Sequence, residues 1–362
     1  MSIYANHAGT SWPKPEPVQR AAAAALREDA LRWPESFEVA HRNIARHFGL
    51  DDPGRLLLTP GCTSALSLGV FDHPWSQAEG IAVSGFEHVA VERAAASLAR
   101  WGVSMHVLPA RGASLVDLEA AERLFRQGRI RLLAVTAAVN VTGDPLPIFE
   151  LAALAREQGV RVLIDAAQTV GWMEPDRWLE AFDLIAFGGH KGLQGTWGIG
   201  GLLVGREVVL RSPRLDGDLE RPGWCDGGSV DRSALAALSA AIDWLEAPAQ
   251  QGRTARAQAL VQRLESALRA RSDVQVVASR PPAERMPAVA VTGSADTLWE
   301  LSQRLQRAGI TVGTGQHCAP LAHRSLGTGH PGAIRFSFGP GSAHSDVDGI
   351  LEALGTGRFT AS

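Results

Sequence analysis

The sequence predicts an α/β protein: a mostly parallel seven-stranded sheet sandwiched by helices, with a smaller α+β C-terminal domain. Three observations predict it. Seven short apolar runs recur between residues 55 and 205. Helix-length segments with apolar residues three and four apart separate several of them. Beyond the Gly- and Asp-rich stretch 215–229, that alternation gives way to a long helical region and then a mixed set of strands and helices. Strand–helix alternation of the first kind makes a sheet covered on both faces, with ligands in the crevice beyond the carboxyl ends of the strands.

The strand candidates, in order, are RLLLTP, GIAVSG, SMHVLP, RLLAVTAA, VRVLIDAA, DLIAFGG and IGGLLVG. HVAVERAAASLARW and PIFELAALAREQG supply helices between them. Only a short Gly-rich segment joins the last two strands, so that pair should be antiparallel, because a parallel pair needs a longer crossover. The region 232–271 reads as helix, broken near APAQQG. The remainder reads strand (VQVVAS), strand (AVAVTG), helix (DTLWELSQRLQRAG), short strand (ITVG), Gly-rich loop, strand (AIRFSFGP) and helix (AHSDVDGILEALG). The expected division is a large domain over 16–250 and a small one from 1–15 together with 251–362.

Composition narrows the function. The chain has 362 residues, 45% of them hydrophobic, and a net charge of −3, which suits a large core and gives no basic patch for nucleic acid. No apolar run approaches the ~18 residues needed to span a bilayer, and the N-terminus lacks the pattern of a secretory signal, so a cytoplasmic protein is expected. The three cysteines at 62, 225 and 318 share no metal-binding spacing and cannot all pair. Cys62 and Cys225 read as buried filler. Cys318, in the Gly-flanked loop GTGQHCAPLAHRSLGTGHPG, should be mobile and accessible.

Asp165 ends the most apolar strand, and Lys191 follows another strand end in AFGGHKGLQG. A carboxylate there serves as a helix cap or a cation ligand, and a lysine there is ordinarily solvated. Together they are also what pyridoxal phosphate requires: a lysine for its Schiff base and a carboxylate to keep the ring nitrogen protonated. Gly61, Cys62 and Thr63 lie between a strand and a helix start, where free N–H groups favour an anion. His88 and Asn140 sit at two further strand ends, positions that suit either ordinary polar surface and turn residues or an imidazole stacked on a planar ring and a donor to a ring hydroxyl.

These residues carry a family resemblance. The order and spacing of EH (87–88), NVTG (140–143), DAAQ (165–168), GHK (189–191) and GQHCAPLAH (315–323) resemble a cysteine desulfurase of the class V aminotransferase superfamily, fold-type I pyridoxal phosphate enzymes. The resemblance implies that Lys191 carries the cofactor as a Schiff base and moves the α-proton. It implies that Asp165 pairs with the ring nitrogen, that His88 stacks on the ring, and that Asn140 and Gln168 bond near the ring oxygen. Thr63, the backbone of Cys62 and His190 would hold the phosphate. Ser229, in CDGGS, would reach the phosphate of a partner subunit, making a homodimer with composite sites. Arg335 would bind the substrate carboxylate, assisted by Asn140, and no metal is implied.

Cys318 would take sulfur from L-cysteine as a persulfide and pass it to an acceptor protein, as the HCAP context of the short-loop desulfurases implies. Three departures from the family pattern matter, the first costing one phosphate hydroxyl and the others putting the substrate in question. Gly188 stands where the family has a hydroxyl residue, Gly313 where it has an arginine, and Ala137 and Val139 where it has histidine and serine. Gly313 and Ala137 are expected to line the substrate side. They keep open another chemistry on the same cofactor: an aminotransferase, a selenocysteine lyase or a specialised C–S lyase.

Overall fold

The computed structural model describes residues 2–111, 115–173, 178–210 and 230–355. Cys225, Ser229 and the whole Gly- and Asp-rich stretch 215–229 lie outside the described residues.

Among the described residues, fourteen strands follow in chain order: β1 (Ile3–Ala5), β2 (Leu56–Thr59), β3 (Gly80–Ser84), β4 (Ser104–Leu108), β5 (Ala110–Arg111), β6 (Leu115–Val116), β7 (Ile130–Thr136), β8 (Arg161–Asp165), β9 (Leu184–Gly188), β10 (Gly200–Val204), β11 (Gln275–Val277), β12 (Ala288–Thr292), β13 (Ile310–Gly315) and β14 (Ala333–Ser337). Seven form one sheet in the order β2-β10-β9-β8-β7-β3-β4, and β5 with β6 makes a short hairpin. The pairs β9–β8, β8–β7, β7–β3 and β3–β4 are parallel. β10 runs antiparallel to both β9 and β2, as the short connection through Lys191 requires. β2, β3, β9 and β10 are buried at every residue. Burial on both faces is why their sequences read as continuous apolar runs and not as alternating ones.

Helices cover both faces. Cys62–Phe71 and Val89–Ser97 pack on one side through Leu66, Val91 and Ala94, against Leu163 and Leu202 of the sheet. Ile148–Glu157 and Arg232–Glu246 pack on the other through Leu151, Leu235 and Leu238. The long helical region splits into Arg232–Glu246 and Arg253–Arg269, with a single 3-10 turn at Pro248–Gln250 between them.

The second sheet has five strands in the order β1-β13-β14-β12-β11. The N-terminal strand β1 lies parallel to β13, and every other pair is antiparallel. A separate core, with Leu264, Leu305, Phe336 and Ile350, packs this sheet against its helices. A buried arginine fastens it to the first sheet through the loop that follows β7. Arg285 pairs with Glu265 and donates to the carbonyls of Thr142 (3.1 Å) and Ala288 (3.3 Å).

Candidate active site

The carboxyl ends of β3, β7, β8 and β9 open on one cavity of about 500 Å³. Lys191, Asp165, His88, Asn140, Gln168, Cys62, Thr63, His190, Arg335 and Cys318 all line it. The parallel strands explain the convergence, since each delivers its last residues to the same edge.

Asp165 ends β8 and is only 4% exposed. Its Oδ1 accepts from the Ala167 N–H (2.9 Å) and from the Cys62 thiol (3.4 Å). Cys62 is therefore not filler: it opens the helix Cys62–Phe71, lines the cavity and touches the carboxylate. Burial, reinforced by Asp165, pushes its thiol well above the ordinary range, so it stays protonated and donates. Burial also lowers the basicity of Lys191, an effect that the Asp165 charge opposes. A lysine made less basic holds a larger share of the neutral amine that attacks carbonyl carbon.

The first turn of Cys62–Phe71 faces the cavity with no side chain capping it, and its N-cap is Gly61. The leading N–H groups of a helix have no partner inside it, which makes this an anion cradle. A side chain at Gly200 would come within 2.4 Å of the Phe187 carbonyl and 2.8 Å of Gly61 Cα, so only glycine lets β10 pass beneath the cradle.

His88 N-caps Val89–Ser97: its Nδ1 accepts the Ala90 N–H at 3.1 Å. Burial lowers its pKa, which fits a neutral ring with its proton on Nε2. Beneath it Glu87, raised to about 8 by burial, accepts from the Ser84 and Thr136 N–H groups and ties the ends of β3 and β7 together. His190 is driven down to about 4 by burial and by the charge of Lys191. Its carbonyl accepts from Ser11 N–H (2.9 Å), Ser11 Oγ (3.0 Å), Thr10 Oγ1 (3.1 Å) and Lys14 Nζ (3.1 Å). This N-terminal strap was not recognised in the sequence, because it acts across about 180 residues. Gln168 is occupied there too, donating to the Ala8 carbonyl at 3.1 Å.

The second sheet supplies the other wall. Arg335, 4% exposed, donates to the Asn140 carbonyl (2.6 Å) and to Asn6 Oδ1 (3.0 Å). Burial lowers it to about 10, which leaves it a cation at neutral pH. Asn140 Nδ2 donates to the His317 carbonyl at 2.8 Å, so the donor expected for a ring hydroxyl is committed, and Oδ1 is left without a partner.

Cys318 is exposed, as expected, but its loop is not a free one. The Cys318 carbonyl accepts the Val89 N–H at 2.7 Å, and Pro320–Ser325 forms a short helix behind it. His317 (φ 51°) and Cys318 (φ 54°) both adopt the left-handed backbone that side chains disfavour, so contacts on both sides must hold them there. Ala137 does not line the cavity: with Val139 it is buried in the main core. Gly313 is not a lining residue either, since the His317 ring lies over it. Among the described residues, no cluster of His, Cys, Asp and Glu is arranged to hold a metal, and no helix is long and apolar enough to cross a membrane.

The family model for aminotransferase class-V matches residues 21–350. The chain belongs to the class-V aminotransferase family. Within it, a probable cysteine desulfurase of Pseudomonas aeruginosa is 32% identical, the match covering 89% of this chain and 83% of that protein. A cysteine desulfurase of Cronobacter sakazakii is 27% identical over 88% of this chain and 82% of its own. Two solved structures share the fold. The apo cysteine desulfurase of Thermococcus onnurineus NA1 has a TM-score of 0.87 at 22% identity, covering 98% of this chain and 94% of that one. The cysteine desulfurase CsdA of Escherichia coli has a TM-score of 0.86 at 24% identity, with the same coverage. The family depends on pyridoxal phosphate. The residues here fit that group: an uncapped helix start with open space at Gly61, a buried carboxylate, a lysine of lowered basicity and an unpartnered Asn140 Oδ1.

Proposed function

We propose that the protein is a pyridoxal phosphate-dependent cysteine desulfurase that converts L-cysteine to L-alanine and keeps the sulfur as a persulfide on Cys318. The observation that carries this reading is one cavity lined by an exposed thiol, a lysine of lowered basicity, a buried carboxylate and a buried arginine. A transaminase needs no such thiol. The 32% identical relative described as a probable cysteine desulfurase supports the same reading.

Asp165 would hold the ring nitrogen, His88 the ring face, and the N–H groups at Cys62 and Thr63, with His190, the phosphate. Pyridoxal phosphate, when bound, supplies the electron sink that makes the Cα proton of an amino acid acidic. Arg335 would anchor the substrate carboxylate, and the Lys191 amine would take the Cα proton and return it. Cys318 Sγ, as thiolate, attacks the substrate sulfur; the Cβ–S bond breaks as the S–S bond forms. The transferred sulfur is formally oxidised and Cβ reduced: the electron pair of the Cβ–S bond stays with the substrate carbon, Cβ takes up the proton given up by the Cys318 thiol, and alanine leaves. Buried Asp165 beside a protonated Cys62 thiol keeps the second cysteine out of this attack.

The active unit is taken to be a homodimer in which Ser229 completes the partner's phosphate site, and an acceptor protein removes the sulfur. Cytoplasmic location fits an exposed thiol that must remain reduced. The test is purified, pyridoxal phosphate-loaded protein with L-cysteine and a reductant, assayed for sulfide and alanine together. Equal yields, with persulfide on the peptide holding Cys318 and no sulfide from Cys318→Ala, are expected. Unchanged turnover in Cys318→Ala would overturn the reading and favour a lyase or aminotransferase.

A further inference from the structure

Two buried donors on the substrate wall lack partners. Arg335 uses Nη1 on the Asn140 carbonyl and Nη2 on Asn6, but its buried Nε has nothing to donate to. His317 lines the same cavity, and neither of its buried ring nitrogens has a partner of full hydrogen-bond geometry, although a backbone contact at Gly313 raises its basicity against the larger effect of burial. Burial beside Arg335 drives His317 down to about 3, so the ring is neutral and one nitrogen carries a proton that needs an acceptor.

The two groups are neighbours by register. Gly313 pairs directly with Arg335 across β13 and β14, and the His317 ring covers Gly313. A Cβ at 313 would lie 3.0 Å from His317 Nε2 and 3.1 Å from Asn6 Oδ1, so the ring stands where a side chain from 313 would otherwise project. Buried donors without partners are rare in folded proteins, and two on one wall of a cavity point to a ligand acceptor that serves both. Asn140 Nδ2 cannot fill the need, being held by the His317 carbonyl.

Resting on the reading that Arg335 faces the substrate carboxylate, we propose that His317 is a second carboxylate-binding residue, donating from the space left by Gly313. It anchors the substrate beside Cys318 and selects for amino acids over simple amines. Its left-handed backbone, held by Asn140, is what turns the ring to that wall.

The test uses pyridoxal phosphate-loaded protein titrated with L-alanine and with ethylamine, its counterpart without a carboxylate, read by the change in cofactor absorbance. His317→Ala should weaken L-alanine roughly tenfold to a hundredfold, as loss of a hydrogen bond to a charged group does, and leave ethylamine within about twofold. With L-cysteine the loss should fall on KM more than on kcat, and His317→Gln, which keeps an N–H donor, should recover most of it. Equal weakening of both ligands, or of neither, would overturn the proposal and leave His317 a loop-shaping residue. If His317→Ala does not fold, Gly313→Ala carries the test, because its methyl pushes on the intact ring. Several-fold weaker L-alanine alone is expected, and an unchanged affinity overturns the proposal. Wild type that binds both ligands equally would instead refute Arg335 as the carboxylate site, and a cofactor spectrum blind to both would refute the cofactor assignment; either removes the basis of the proposal.

Discussion

Replacing Arg285 with methionine tests whether the two sheets are fastened where the structure places the fastening. Arg285 is 0% exposed, and its guanidinium meets Glu265, the Thr142 carbonyl and the Ala288 carbonyl. Methionine fills similar space but leaves a buried carboxylate and two carbonyls short of donors. Breaking a buried ion pair from one side costs about 3–5 kcal/mol. Glu265 keeps Arg269 at 2.7 Å, which places the loss toward the lower end of that range. For a chain of this size about 1.3 °C of Tm accompanies each kcal/mol, so thermal unfolding by circular dichroism should shift down by roughly 4–5 °C. Adding Glu265→Leu to Arg285→Met should restore much of the loss, since it removes the stranded charge. A single variant within 1 °C of wild type, or a double variant worse than the single one, would refute the argument. The effect also reaches the site, because Thr142 lies two residues beyond Asn140, whose carbonyl holds Arg335.

Three further outcomes follow from the same geometry. Asp165→Asn should still bind pyridoxal phosphate but lose at least about a hundredfold in turnover, because the charge that keeps the ring nitrogen protonated is gone; wild-type activity would reduce Asp165 to a helix cap. Gly188→Ser should hold the cofactor roughly fivefold more tightly, as one added hydrogen bond would: a Cβ there meets Cys62 Cβ at 3.5 Å and His190 Cδ2 at 3.7 Å, ordinary contacts that leave the hydroxyl room, and equilibrium dialysis measures the change. Stability should fall as pH drops from about 6.5 to 4, since His7, His73 and His190 are lowered to about 4 and His317 to about 3, so the unfolded chain binds more protons in that window. His73→Gln, remote from the cavity, should flatten that slope by up to about 1.4 kcal/mol per pH unit in denaturant titrations.

The sheet and the edge carrying the site were legible because they rest on local signals. Apolar runs end in Asp165 and Gly188, and the turn after Gly188 carries Lys191, so strand direction alone brings those groups together. What stayed hidden depends on contacts far apart in the chain. The strap over His190 joins residues about 180 apart, and the Arg285–Thr142 link spans 143. Cys62 looked like filler because its turn is made of small residues, and only the fold brings Asp165, 103 residues on, to its thiol. The glycines around Cys318 suggested a mobile loop. They could not show that Asn140 and the Val89 N–H hold its two central carbonyls.

That pinning yields one more consequence. Two successive left-handed residues cost about 1–3 kcal/mol each, and the bonds to the His317 and Cys318 carbonyls each return about 1 kcal/mol, so the bonds offset no more than the low end of that cost and the loop depends on both. Val89 is the first residue of its helix, where proline is tolerated because the lost N–H has no partner within the helix. His88, at φ −67° and ψ 148°, already has the extended backbone that a following proline imposes. Val89→Pro therefore deletes the donor to the Cys318 carbonyl and leaves the helix and the His88 cap in place. Losing about 1 kcal/mol of a two-state preference reduces the aligned loop several-fold. Sulfur transfer to Cys318, followed by mass spectrometry in a single turnover, should slow by about fivefold, with cofactor absorbance unchanged. Undiminished transfer would mean that Cys318 reaches its substrate from an unpinned loop, and that the Val89 contact plays no part in aligning it.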